Sequence, residues 1–189
     1  MKFRNFKMIG YVIYGRGSFD QLDEILSPNR KDGLPMIFLV DHFFKNKDLV
    51  NRIPLRGKDK VVYADVSHEP KTGDVDSLSA QFKNEFGSIS GIVGIGGGST
   101  MDLAKAISLM MNNPGSSADY QGWDLVKNPG VYKVGIPTLS GTGAEVSRTC
   151  VLTGPTRKLG MNSDFTPFDQ IVLDPVLTRN PPANQRFYT

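Results

Sequence analysis

The chain has 189 residues, of which 39% are hydrophobic, and 22 Lys and Arg stand against 19 Asp and Glu for a net charge of +3. That composition excludes a disordered or collagen-like chain, and the scattered basic residues leave no footprint for a nucleic-acid partner. Cys150 alone can close no internal disulfide, and no apolar run approaches the roughly 20 residues of a spanning helix, so a cytoplasmic protein with no membrane partner is expected.

At the amino end Lys2, Arg4 and Lys7 precede a short apolar stretch at 8–14, but Arg16 follows at once and no small-residue cleavage site appears, so no signal peptide is expected. Ser18 can cap a helix carrying Leu22, Ile25 and Leu26 on one face. Residues 36–40 form an apolar run after Pro35 that ends at Asp41, and 61–64 form a second ending at Asp65. Asp74 can open a helix in which Leu78, Phe82 and Phe86 recur every four residues. The run 92–95 ends in Gly96, Gly97 and Gly98, and a helix over 99–112 carries Leu103, Ala106, Ile107, Met110 and Met111 as an apolar stripe. Residues 133–136 form another run, ending at Pro137. Beyond Ser147 a strand at 148–152, a turn and a return at 158–162 read as a hairpin, and a last short strand at 171–174 is stopped by Pro175. Short apolar runs alternating with helices suit strands covered on both faces of a parallel sheet. The fold class expected is α/β, doubly wound and Rossmann-like, with a mostly parallel sheet and a small β-hairpin extension.

The strand, glycine run and helix over 92–105 present backbone N–H groups and the positive end of a helix dipole to an anion. Glycines let a diphosphate approach the main chain, and Ser99 or Thr100 can add a hydroxyl. A competing reading is a tight turn that needs only positive φ, with Ser99 as N-cap. The segment is neither a Rossmann fingerprint, since Ser99 stands where the third glycine should fall, nor a Walker loop, since no Lys–Ser/Thr pair follows. Asp41, just past a strand, can accept from ribose hydroxyls and repel a 2′-phosphate, or can cap the turn near Phe43. Asp102 and Lys105, three apart on one helix, read as a surface ion pair, and Asp102 in the first turn also complements the helix dipole. A second polar loop offers Thr138, Ser140 and Thr142 with Gly141 and Gly143 between them. Thr142 and Glu145 also have the spacing of a capping box.

Gly96-Gly97-Gly98-Ser99 with Asp102 and Lys105, Pro137-Thr138 with Gly141-Thr142-Gly143 and Glu145, then Lys158, Asp174-Pro175 and Pro181-Pro182 resemble the iron-containing (group III) alcohol dehydrogenases. The resemblance implies an amino-terminal dinucleotide-binding domain over 1–180 and, at 181–189, the start of a linker to a helical metal-binding domain. It also implies NAD as cofactor, with NADP disfavoured by Asp41. Gly96, Gly97, Gly98 and Ser99 would hold the pyrophosphate, with Asp102 at the cofactor. Thr138, Thr142 and Ser147 would line the nicotinamide side, Ser140 would also bind the cofactor, and Lys158 would reach the nicotinamide ribose or else remain a solvated hairpin charge. Ala144 and residues 160–165 resemble the branch that oxidises the C8 hydroxyl of 3-deoxy-D-manno-octulosonate for lipopolysaccharide, so the expected partner is a small sugar-acid alcohol; a homodimer is also compatible.

The family's divalent metal, iron or zinc, is held by one Asp and three His beginning shortly after the Pro-Pro pair, past Thr189. His42 and His68 have no ligand-spaced partner. This chain by itself is therefore expected to hold no catalytic metal and to turn over poorly or not at all. Two other classes remain open at this point: a non-catalytic nucleotide-binding module, and a relative of dehydroquinate synthase or glycerol-phosphate dehydrogenase.

Overall fold

The computed structural model describes residues 7–179 and 181. The linker expected at 181–189 therefore lies, apart from Pro181, outside the described residues. Six strands form one sheet, β1 (Tyr11–Tyr14), β2 (Met36–Asp41), β3 (Lys60–Ala64), β4 (Gly91–Gly96), β6 (Tyr132–Pro137) and β9 (Gln170–Leu173), in the order β1-β9-β6-β4-β2-β3. Every neighbouring pair in it is parallel. A second sheet joins β5 (Gly122–Trp123), β8 (Lys158–Asn162) and β7 (Thr149–Thr153), and β7 and β8 are the expected antiparallel hairpin, with Cys150 opposite Met161.

Alternation along β2 shows why the apolar runs are continuous. Ile37 and Leu39 pack with Val75 and Phe82 of α3 (Thr72–Phe86) and with Met101 and Ala104 of α4 (Gly98–Met110). Met36, Phe38 and Val40 point the other way, into a cluster with Phe19, with Leu22 and Leu26 of α1 (Leu22–Leu26), and with Ile53, which follows α2 (Asp48–Asn51). A strand buried on both faces cannot alternate with polar residues. The doubly wound α/β expectation is met, and among the described residues no helix is long and apolar enough to cross a membrane.

Three local expectations are corrected. Ser18 is not a helix cap: Gly17, at φ 79°, takes that position and the Ser18 hydroxyl is buried without a partner. Asp74 does not open α3 but lies in its first turn, where its carboxylate accepts from the Lys71 N–H (3.2 Å). Ser99 likewise lies inside the first turn of α4, whose N-cap is Gly97. The apolar stretch at 8–14 holds a strand that was not expected, β1, which forms the sheet edge beside β9.

The chain leaves β2 for β3 on one side and returns to β4 on the other. The carboxyl ends of β2 and β4 therefore flank the point where strand order reverses, the crevice at which open α/β sheets receive ligands.

Candidate functional site

A cavity of about 620 Å³ opens at that crevice. One wall is Asp41 at the end of β2 with His42, Phe43 and Phe44 of the turn behind it; Gly97, Gly98, Ser99, Thr100 and Asp102 form the floor. The far wall is Thr138, Leu139, Thr142 and Ala144 from the loop after β6.

The floor is a helix start. The first intrahelical bond runs from the Met101 N–H to the Gly97 carbonyl (3.0 Å), so the amides of Gly98, Ser99 and Thr100 precede any partner the helix itself provides. They face the cavity together with the positive end of the dipole of α4. None of Gly96, Gly97 or Gly98 has positive φ, so the reading of this segment as a turn needing left-handed backbone is overturned. Glycine is required here for space. A Cβ on Gly98 would stand 2.7 Å from Thr142 Oγ1, whereas one on Gly96 would meet Thr100 Cβ (2.7 Å) and Asp41 Cβ (2.9 Å). Gly96 thus lies beneath the floor, packed between Asp41 and α4, and does not line the cavity.

Asp41 does cap the turn at His42–Phe44, accepting from the Phe43 N–H through Oδ1 (2.9 Å). Among the described residues its Oδ2 accepts no hydrogen bond, so the cap leaves one oxygen for a ligand hydroxyl. His42, given no weight in the sequence, ties this wall together: its Nδ1 lies within reach of the Ala64 carbonyl (3.2 Å) and the Val66 N–H (3.3 Å).

Asp102 and Lys105 are not a surface pair. Lys105 is fully buried and its Nζ lies 3.8 Å from Asp102 Oδ1, because the β7–β8 hairpin covers this face of α4. Asp102 Oδ2 accepts from the Val151 N–H of β7 (3.1 Å), while Oδ1 is buried without a hydrogen bond. Burial pushes the Asp102 carboxyl up to about 6 against the pull of the neighbouring Lys105 ammonium. The same burial lowers the Lys105 ammonium. Thr100 Oγ1 is a second buried oxygen without a partner beside the cavity.

The remaining candidates read from the sequence separate. Thr138 and Thr142 line the cavity, but Ser140 faces a smaller one of about 390 Å³ with Gly141, Glu145 and Asp174. The capping box expected at Thr142 and Glu145 does not form: no helix follows, and Thr142 Oγ1 accepts from the Ala144 N–H (3.3 Å) instead. Ser147 turns inward, its hydroxyl donating to the Thr149 carbonyl (2.8 Å). Lys158 is half-exposed and pairs with Glu69 on the hairpin's outer side, apart from the cavity wall. Phe43, Phe44 and Leu139 also line the cavity without having been singled out, since apolar loop residues carry no chemical signature in sequence.

The profile of the iron-containing alcohol dehydrogenases matches residues 10–175. Long-chain-alcohol dehydrogenase 1 of Geobacillus thermodenitrificans is 34% identical over 177 residues, covering 89% of this chain and 43% of its own. The NAD-dependent methanol dehydrogenase of Bacillus methanolicus is 36% identical over 141 residues, covering 73% of this chain and 36% of its own. The crystal structure of sulfoacetaldehyde reductase from Bifidobacterium kashiwanohense in complex with NAD+ superposes with a TM-score of 0.78 at 26% identity, over 96% of this chain and 49% of that one. The chain spans less than half the length of each of these relatives.

Proposed function

The chain belongs to the iron-containing alcohol dehydrogenase family, and from that premise we propose that it is the part of an NAD-dependent alcohol dehydrogenase that holds the dinucleotide. The observation that carries this reading is the open helix start, Gly97 to Thr100, flooring a cavity at the strand-order reversal with an acidic residue at one end. The polar residues Asp41, Ser99, Thr138 and Thr142 in the lining suit a polar ligand better than an apolar one.

Bound NAD supplies a nicotinamide ring that accepts hydride from an alcohol carbon. The amides of Gly98, Ser99 and Thr100 hold the diphosphate, and Asp41 orients the adenosine ribose through Oδ2. Thr138 and Thr142 offer hydroxyls to the nicotinamide half, while Leu139 and Ala144 keep water from that wall. Among the described residues no group of three or more His, Cys, Asp or Glu side chains can hold a metal ion. As substrate we propose a primary alcohol; the C8 hydroxyl of 3-deoxy-D-manno-octulosonate is the candidate that Ala144 and residues 160–165 favour.

Calorimetric titration tests the reading. NAD is expected to saturate the chain and NADP to bind at least tenfold more weakly, since like charges roughly 4 Å apart near a protein surface repel by about 4 kcal/mol and a tenfold difference needs only about 1.4 kcal/mol. Asp41→Ala should erase that preference; a variant that still discriminates against NADP removes Asp41 from the ribose.

Asp102 gives the pH dependence. A diphosphate bound beside its carboxylate raises the carboxyl further above about 6, so the complex takes up a proton and affinity falls as pH rises through that value. Titrations at pH 5 and 7.5 should show NAD binding several-fold tighter at the lower pH, and Asp102→Asn should flatten the difference. Equal slopes in the two proteins would remove the carboxylate from the diphosphate.

A further inference from the structure

Lys105 is the most thoroughly enclosed charge among the described residues, and the cavity's chemistry as proposed makes no use of it. Its side chain is fully buried and does not line the cavity. Its Nζ donates to four oxygens that all come from one short stretch: the Ala144 carbonyl, the Thr149 carbonyl (2.9 Å), Ser147 Oγ (3.0 Å) and the Ser147 carbonyl (3.2 Å). An ammonium has three protons, so one is shared between two of these acceptors. The Ser147 hydroxyl donates its own hydrogen bond to the Thr149 carbonyl, which leaves its lone pairs for Lys105. The Phe168 ring closes the chamber with its centroid 5.4 Å from Nζ.

The stretch so held has two ends with different tasks. Ala144 belongs to the far wall of the cavity, and its N–H bonds Thr142 Oγ1, which itself stands against Gly98. Thr149 begins β7, whose Val151 N–H is taken by Asp102 on the cavity side of the same helix. We propose that Lys105 is a positioning residue that fastens the 142–149 loop to α4, so that the loop wall and the helix start keep the separation the nicotinamide half of the cofactor requires. The buried ammonium gives this loop, which has no helix or strand of its own between Pro137 and Thr149, a fixed seat. The inference rests on the cavity being the dinucleotide site.

The test separates the two ends of the cavity. AMP reaches only the Asp41 end, whereas NAD also reaches the loop wall. Lys105→Met, checked for a cooperative melt, is expected to bind NAD at least tenfold more weakly than the unaltered chain and AMP within twofold of it. Unchanged NAD affinity, or equal losses for AMP and NAD, overturns the proposal. Should Lys105→Met not fold, Ser147→Ala removes one acceptor and keeps the ammonium. A threefold or greater loss confined to NAD then supports the positioning role, and equal affinities overturn it. If the unaltered chain binds AMP and NAD no better than buffer, the cofactor reading fails first and this inference with it; NAD binding by the unaltered chain with no split in the variants sinks this inference alone.

Discussion

Gly97→Val should abolish most dinucleotide binding while leaving the fold intact. Gly97 has φ −84° and ψ −170°, extended backbone that a β-branched residue adopts readily. The nearest protein atom to an added Cβ is Leu139 Cδ1 at 3.2 Å, the end of a side chain able to give way. The remaining methyl groups would enter the cavity where the diphosphate meets the helix start. Losing charge-assisted bonds worth roughly 1.5–3 kcal/mol apiece predicts NAD affinity down by about a hundredfold. Folding stability should change by no more than about 1 kcal/mol, as for substitutions without buried clashes. Calorimetry and denaturation of the same sample read both quantities, and a folded variant with unaltered NAD affinity would take the diphosphate away from this turn.

The same substitution three residues earlier should have the opposite signature. Gly94 lies in the middle of β4, between Leu39 of β2 and Gly135 of β6. Its missing side chain is what lets α4 approach, because an added Cβ would stand 2.8 Å from Ala104 Cβ and 3.2 Å from Met101 Cε. Ala104 is short and carried on the helix backbone, so relief requires shifting the whole of α4. Forcing extra methyl groups into such a contact costs about 1–3 kcal/mol, and Gly94→Val should sit at the upper end of that range. Urea denaturation should show a clearly lower midpoint; a midpoint equal to that of the unaltered chain would mean that α4 does not rest on β4 as described. The pair of variants divides one glycine-rich segment into a packing half and a binding half.

That division was not legible in the sequence, where Gly94, Gly96, Gly97 and Gly98 look alike. The four differ in what their absent side chains would meet, and this depends on the placement of α4 and of the loop after β6. The strands at 36–41, 91–96 and 132–137 could be read because burial on both faces makes each a mostly apolar run, and 60–64, half-buried at the sheet edge, could be read from Val61, Val62 and Tyr63. By contrast the apolar stretch at 8–14 did not read as a strand: Tyr11 and Tyr14 are largely exposed, and the partner of β1, β9, lies at the other end of the chain. Asp102 and Lys105 mislead for a related reason. Spacing of three on a helix places two side chains on one face but carries no information on whether that face is covered. Here a hairpin almost fifty residues downstream covers it. Ser140 and Ser147 show the limit for loops, since a polar residue near a site can turn to a neighbouring cavity or inward to a lysine with nothing in its local sequence to mark the choice.

The most direct measurement is amide chemical-shift mapping by NMR on the isotopically labelled chain as NAD is added. Dinucleotide binding at the α4 start predicts saturable shifts largest at Gly97, Gly98, Ser99 and Thr100, followed by Asp41 and Thr142. Shifts absent from the α4 start, or gathered instead around Tyr14, Ser140 and Asp174 at the smaller cavity, would contradict it.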